Sequence, residues 1–161
     1  MADAVRTASA EAICGLLDGD GQFLAPARLL SDLTEEQAMA VPPGSPYSIA
    51  QVAAHLRFWQ QREIVWARGE TPPKVDDLEA TFTAPPAGTW HPLVQDVLAC
   101  MEQLKHLARE QAAQPSVAYN NGTVGYGLAT SALHNGYHLG QIVLLRRMQG
   151  FWPPAGDDND W

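Results

Sequence analysis

Four proline pairs divide the sequence, and long stretches with helical periodicity lie between them. Proline lacks a backbone donor and interrupts helices, so each pair indicates a loop. No stretch shows the sustained alternation of apolar and polar residues that is typical of strands. The pattern therefore predicts an all-α protein, and four long helices favour a four-helix bundle. The pairs are Pro42-Pro43, Pro72-Pro73, Pro85-Pro86 and Pro153-Pro154.

Start and stop signals give these helices approximate ends. Ser48 is followed three residues later by Gln51, which is a capping box at the start of the second helix. Glycines suit the ends of the first, second and fourth helices. A second start signal at Thr34 predicts short helical turns within residues 22–40. The long helices are predicted to span about Asp3–Asp18, residues 48–68, residues 90–114 and residues 123–149.

Length and composition are those of one globular domain. The chain has 161 residues, of which 46% are hydrophobic and 17% are charged. We expect a bundle domain over residues 1–154 and a loose acidic tail over residues 155–161. Cys14 and Cys100 are far apart and lie among apolar helical residues, which predicts buried free thiols.

Charge and hydropathy exclude several function classes. The formal net charge is -8, whereas a nucleic-acid binder or a protein of anionic membranes needs a basic surface. The N-terminus lacks the basic start and apolar run of a signal peptide. No run of 18 apolar residues is present. We therefore expect a cytoplasmic protein that has no nucleic-acid or membrane partner.

Two histidines on the fourth predicted helix point to metal chemistry. His134 and His138 are four residues apart, which places both imidazoles on one face of the helix, one turn apart. Such a pair can bind one metal ion, as in zincins, although Asn135 stands where a zincin has its glutamate. The alternative is a pair of surface or packed histidines.

A third ligand must come from elsewhere, because catalytic metal sites usually take three protein ligands. His55 lies in an apolar stretch of the second helix, where a buried imidazole needs a partner. His106 is surrounded by charged residues, and His91 sits at a helix start beside Pro92. We therefore select His55, while a carboxylate stays a possible alternative. Glu63 lies about two turns beyond it, and no residue is a convincing general base.

Other residues near the pair leave alternatives open. Ala132, Gly136 and Gly140 form a small-residue stripe, which indicates either tight helix packing or a dimer contact or opening beside the metal. Gln141 and Tyr137 flank the histidines, and packing or solvent exposure is their default role, although Gln141 could reach a metal-bound water. Trp59 is expected in the core. The loop over residues 70–88 is long enough to be functional and to cover part of the site.

These segments resemble the DinB/YfiT-like superfamily of metal-dependent enzymes. The similarity lies in Ser48–Leu56 continuing to Trp59, in Leu133–Ile142, and in the ending from Leu144 through Gly150 to Pro154. A single histidine on the second helix and an HxxxH on the fourth match the metal triad of that family. The resemblance therefore implies that His55, His134 and His138 bind one divalent ion.

The resemblance also implies an up-down-down-up bundle, a homodimer, and zinc or nickel as the metal. Three imidazoles alone would suit copper and iron as well. Activities in the family include transferases that use bacillithiol or mycothiol and a mycothiol-dependent maleylpyruvate isomerase. We expect a metal-dependent transferase acting with a low-molecular-weight thiol. The rivals are a hydrolase of a small ester or amide, and a non-enzymatic stress protein whose site is closed by a fourth ligand such as Glu63.

Overall fold

A computed structural model describes residues 9–19, 22–111, 117–119 and 122–157. These residues contain six α-helices, a 3₁₀ turn at Glu79–Phe82, and two short strands. The helices are α1 (Ala10–Asp18), α2 (Pro26–Leu30), α3 (Glu35–Met39), α4 (Ile49–Ala67), α5 (Trp90–Gln111) and α6 (Val124–Met148). The strands are β1 (Val117–Tyr119) and β2 (Gly122–Thr123). The predicted all-α class is confirmed.

Side-chain caps fix where the helices before the site begin. The Ser48 hydroxyl accepts a hydrogen bond from the Gln51 backbone, and the Gln51 side chain accepts one from the Ser48 backbone. Thr34 and Gln37 form the same reciprocal box at α3. Each box satisfies backbone donors that would otherwise lack partners. Both predicted start signals are therefore real helix starts.

Two local predictions are wrong. The first helix begins at Ala10 and not at Asp3, because Ser9 has an extended backbone and its hydroxyl caps Ala12. Residues 1–8 lie outside the described residues. Strands β1 and β2 pair antiparallel between α5 and α6, where the sequence shows no strand pattern. Five strand residues are too few to produce a periodic signal.

The four long helices pack as a bundle in which α4 contacts α5 and α6, and α1 contacts the same two helices. One core cluster joins the first halves of α4 and α5 to the second half of α6. A second cluster joins the second halves of α4 and α5 to the first half of α6. Helices α4 and α5 therefore run in one sense and α6 in the other. These are the relative senses of the last three helices in an up-down-down-up bundle.

The apolar face predicted for the third long helix is buried. Five residues on α5 with helical spacing all lie in the two core clusters, where their removal from water stabilises the fold. They are Leu93, Val97, Met101, Leu104 and Ala108. The helix thus contributes to both halves of the bundle, and it presents no histidine to the interior.

Arg146 fastens the end of α6 to the segment that contains α2. Its side chain is only 1% exposed, and it donates hydrogen bonds to the carbonyls of Leu29, Ser31 and Phe151. It also forms an ion pair with Asp32 at 2.9 Å. Because each nitrogen of the guanidinium group donates to an oxygen of the protein, the buried charge is compensated, and α6 is held in register.

The chain end and the cysteines complete the fold. Ala155 donates its backbone N–H to Asp32 and accepts a hydrogen bond from Arg28. The boundary after residue 154 stays a prediction, and residues 158–161 lie outside the described residues. Both cysteines are free, as expected, but only Cys100 is buried, whereas Cys14 is half-buried. Among the described residues, no helix combines the length and the apolar character needed to cross a membrane.

Candidate metal centre

Three histidines meet where α4 crosses α6. The candidate ligand atoms of His55, His134 and His138 all lie within 4.8 Å of one another. The Nε2 atom of His134 lies 3.4 Å from Nε2 of His55 and 3.0 Å from Nε2 of His138. The structure therefore brings together all three of the histidines that the sequence singles out as ligands.

Helix geometry explains this convergence. His55 lies between the buried residues Ala53 and Leu56, so its side chain enters the bundle with the core face of α4. His134 and His138 lie one turn apart on α6, which packs against α4. His55 and His138 are buried, while His134 is half-buried at the rim. The cluster thus has one side that faces outward.

The 3₁₀ turn orients His55. Its Nδ1 lies 2.7 Å from the Thr81 hydroxyl, which donates its own hydrogen to the Leu78 carbonyl at 2.5 Å. Because that hydroxyl hydrogen is already used, Thr81 accepts a hydrogen bond from Nδ1–H. The other ring nitrogen, Nε2, then carries a free lone pair directed at the cluster.

Gln141 orients His138 in the same way. Its side-chain oxygen lies 2.6 Å from Nδ1 of His138, one turn along α6. An amide oxygen only accepts hydrogen bonds, so Nδ1 carries the hydrogen. Nε2 of His138 therefore again has the free lone pair that can bind a metal ion. Hydrogen bonds of this kind hold metal-binding imidazoles in position. Gln141 is half-buried, and it has this specific partner in addition to the packing or solvent exposure expected of it.

Burial keeps the cluster uncharged. Desolvation, followed by the charges of His138 and His134, lowers the pKa of His55 from 6.5 to about 3. Desolvation and then His138 lower the pKa of His134 to about 4. The pKa of His138 is also lowered by desolvation, although the hydrogen bond that its ring donates to Gln141 acts in the opposite direction. All three rings are therefore neutral near pH 7, which is the form that binds metals.

A divalent cation fits this donor set. Nε2 of His55 and Nε2 of His138 both present lone pairs toward His134, whose one ring hydrogen can satisfy only one of them. A cation would satisfy all three nitrogens at once. Zinc–nitrogen bonds of about 2.0 Å at tetrahedral angles place ligand nitrogens about 3.3 Å apart, close to the two observed separations. The described residues offer no fourth ligand atom within the group.

Aromatic rings close one side of the cluster. Phe82 stacks on the His55 ring with 3.8 Å between centroids, and Tyr47 stacks on the other side of Phe82 at 4.1 Å. The loop over residues 70–88 therefore supplies both a hydrogen-bond partner and a cover for His55. Neither Thr81 nor Phe82 could be assigned from the sequence, because the contact spans more than 25 residues of chain.

A cavity of about 290 Å³ opens beside His134 on another side. Its walls are Trp59 and Glu63 from α4, and Thr130 and Ser131 from α6. Trp59 is half-buried here and does not fill the core, contrary to expectation. Glu63 is 7% exposed, and desolvation raises the pKa of its carboxyl from 4.5 to about 7. The cavity thus combines a candidate ligand with a buried carboxyl group.

The remaining histidines of the sequence lie elsewhere. His91 is exposed at the start of α5. His106 is exposed on α5 and lies 3.3 Å from Glu110. Neither belongs to the group of convergent ligand atoms, which is consistent with the choice of His55 over both.

Comparison with family models decides the classification. The model of the DinB superfamily matches residues 27–142, a range that contains all three clustered histidines. The chain belongs to the DinB superfamily. Comparisons with curated proteins and with solved structures found no match. For this DinB-superfamily chain, the match covers α2 to most of α6 and confirms the resemblance seen in the sequence.

Proposed function

We propose that this protein is a metal-dependent transferase acting with a low-molecular-weight thiol, and that His55, His134 and His138 bind one divalent ion, zinc or nickel. The observation that carries the proposal is the convergence of three neutral imidazole nitrogens beside a cavity. Three ligands leave a coordination position open, as catalytic sites require. The cavity that His134 lines offers space for a substrate beside one of the three ligands.

The surrounding residues have separate tasks in this proposal. Thr81 and Gln141 hold the rings of His55 and His138 in the tautomer that binds metal. Phe82 and Tyr47 exclude water from one side of His55. When bound, a divalent ion would supply the positive charge that favours a deprotonated thiol near pH 7. The choice of a thiol rests on the similarity to DinB/YfiT-like transferases.

A hydrolase of a small ester or amide is the second candidate. The cavity wall supports it, because Glu63, Thr130 and Ser131 give a water molecule several polar neighbours. A non-enzymatic metal-binding protein has less support. That hypothesis calls for a fourth protein ligand such as Glu63, which is not among the convergent ligand atoms.

The test measures conjugation of N-acetylcysteine to 1-chloro-2,4-dinitrobenzene by untagged protein loaded with zinc or nickel. We expect turnover in the loaded protein, and only the spontaneous rate after chelation or in the His138→Ala variant. The matched control is His106→Ala, which removes an exposed histidine of α5. Equal thiol loss with and without metal would eliminate the transferase proposal. Metal-dependent release of nitrophenol from p-nitrophenyl acetate without any thiol would favour the hydrolase instead.

We also propose that two copies of this chain associate through α6. Four large apolar residues on one face of α6 are exposed to solvent, and Gly140 lies within that face. A Cβ atom at Gly140 would meet no described residue within 4 Å, so packing in that part of the chain does not require glycine there. A helical glycine costs about 1 kcal/mol relative to alanine, which a close contact with a second copy would explain. The four residues are Leu133, Tyr137, Leu144 and Met148.

A further inference from the structure

Glu63 is a buried acid whose position on α4 serves no visible structural purpose. It forms no hydrogen bond and no ion pair with any described residue, whereas most buried carboxyl groups are paired. Its oxygens are not fully buried, because they are absent from the set of partnerless polar atoms that solvent cannot reach. The carboxyl group therefore opens into the cavity that it lines. A buried carboxyl group without a hydrogen-bond partner lowers the stability of the fold unless a ligand binds to it.

The cavity connects Glu63 with one candidate ligand of the metal centre. His134 lines the same cavity and is the other titratable group among the described residues of its wall. The two side chains form no ion pair within 4.0 Å, and Glu63 does not join the convergent ligand atoms. A substrate in the cavity would therefore lie against both His134 and the Glu63 carboxyl group.

We infer that Glu63 is a catalytic residue of the proposed transferase and accepts the proton of the thiol that enters the cavity. The inference rests on the proposed function. The S–H bond of the thiol breaks, and an O–H bond forms on the Glu63 carboxylate. The sulfur electron pair then forms a C–S bond with the electrophile, and with an aryl chloride the C–Cl bond breaks and chloride departs. Glu63 afterwards returns its proton to water.

Desolvation adds a physical reason for choosing this carboxyl group. A general base is most effective when its pKa lies near the working pH. Burial raises the pKa of Glu63 to about 7, whereas an exposed glutamate would be too weak a base. Among the described residues, no other acidic residue lines this cavity. The position, the missing protein partner and the raised pKa all agree with one role in proton transfer.

The test compares Glu63→Gln with the matched control Glu70→Gln, which changes an exposed glutamate just beyond α4. Both proteins are loaded with zinc and assayed with N-acetylcysteine and 1-chloro-2,4-dinitrobenzene. For Glu63→Gln we expect kcat to fall roughly 100-fold with little change in KM and an unchanged metal content. The decline of kcat below about pH 7 in the parent should disappear in this variant. Glu63→Asp should recover part of the rate.

A binding measurement supplies a readout besides turnover. Calorimetry in two buffers of different ionisation enthalpy counts the protons released when N-acetylcysteine binds near pH 7. About half of Glu63 is ionised at that pH, and a bound thiolate beside it should raise its pKa further, so Glu63 takes up part of the released proton. We therefore expect the parent to release up to about half a proton fewer per thiol bound than Glu63→Gln.

The outcomes separate this inference from the function on which it rests. Conjugation by the parent together with an unchanged kcat and proton count in Glu63→Gln would overturn the role of Glu63 and leave the transferase proposal standing. Loss of zinc from Glu63→Gln would make Glu63 a ligand and would also overturn the inference. Absence of metal-dependent conjugation in the parent would overturn both the role of Glu63 and the transferase proposal. Normal activity in Glu70→Gln excludes a general effect of charge.

Discussion

At the scale of single residues, the site contains ionisable groups whose charged forms are disfavoured by burial. The carboxyl group of Glu63 has a raised pKa, and the imidazoles of His55 and His134 have lowered pKa values. Burial acts in both cases by penalising the charged form. The protonated carboxyl and the neutral imidazoles are therefore both favoured inside the bundle. Their effects on folding depend on pH in opposite directions.

The first prediction concerns the stability cost of Glu63. Its folded-state pKa of about 7 exceeds the ordinary value of 4.5, so its contribution to stability is complete below pH 4.5 and is lost as pH rises through 7. Glu63→Gln should therefore raise the free energy of unfolding near pH 8 by up to about 3 kcal/mol, and by only about half a kcal/mol near pH 4.5. Urea unfolding of the metal-free proteins at both pH values measures this.

The comparison of two pH values provides its own control. The lowered pKa values of His55 and His134 reduce stability as pH falls below 6.5, but they do so equally in the parent and the variant. A stability difference that is the same at both pH values would show that Glu63 does not ionise in the folded protein as described.

Residue spacing predicts part of this site and misses the rest. The positions of His134 and His138 one turn apart, and the apolar surroundings of His55, are visible in the sequence. The partnership of Gln141 with His138 follows from spacing on a helix, but several roles fit such a residue equally well. Thr81 and Glu63 reach the site only when α4, α6 and the 3₁₀ turn have packed together. No local sequence pattern therefore predicts their roles.

At the scale of elements, the 3₁₀ turn at Glu79–Phe82 is the part of the loop that matters most for the site. It packs on α4 and brings the Thr81 hydroxyl to Nδ1 of His55 and the Phe82 ring onto the face of the same imidazole. The sequence predicted a long loop that could cover the site, because loops of this length are often functional. It did not predict a helical turn there, since four residues carry little periodicity.

The second prediction tests that element. Thr81→Val keeps the shape of the side chain but removes the acceptor for Nδ1–H of His55. Loss of such a partner typically weakens metal binding roughly 10- to 100-fold. Chelator competition with zinc measures the change. Thr83→Val is the matched control, because the Thr83 hydroxyl bonds only to the Ala80 carbonyl. Equal zinc affinity in parent and Thr81→Val would mean that the turn does not support the ligand.

Helix ends show where sequence patterns succeed and fail. The reciprocal boxes at Ser48 and Thr34 are local in sequence, so they are readable without tertiary contacts. The start of α1 was placed too early, because apolar residues before Ser9 continue the same periodicity. The capping hydroxyl of Ser9 was the signal that could have corrected it. Strands β1 and β2 left no such signal.

At the scale of the whole molecule, the bundle joins elements that are far apart in the sequence into one site. Helices α4 and α6 supply the ligands, and the segment before α5 supplies the cover. The bundle class followed from periodicity and composition, and the family model extends over most of the same chain. The oligomeric state did not follow from these patterns. Only the folded structure shows which apolar residues of α6 are exposed and could contact a second copy.

The third prediction concerns association through α6. Leu144→Glu places a charge in the exposed apolar face, so it should convert a dimer into a monomer. Light scattering after size exclusion should give the parent twice the 17.5 kDa mass of the chain, and the variant a single chain mass. Leu16→Glu, on the exposed side of α1, is the matched control. A monomeric parent at all concentrations would refute the proposed dimer.

The central claim is that three histidines bind one metal ion, and elemental analysis tests it most directly. The measurement uses protein purified without an affinity tag, beside His138→Ala and the control His106→Ala. We predict about one equivalent of zinc or nickel in the parent and in His106→Ala, and almost none in His138→Ala. A parent that contains no metal, even after reconstitution with either ion, would contradict the claim and make the cluster a structural one.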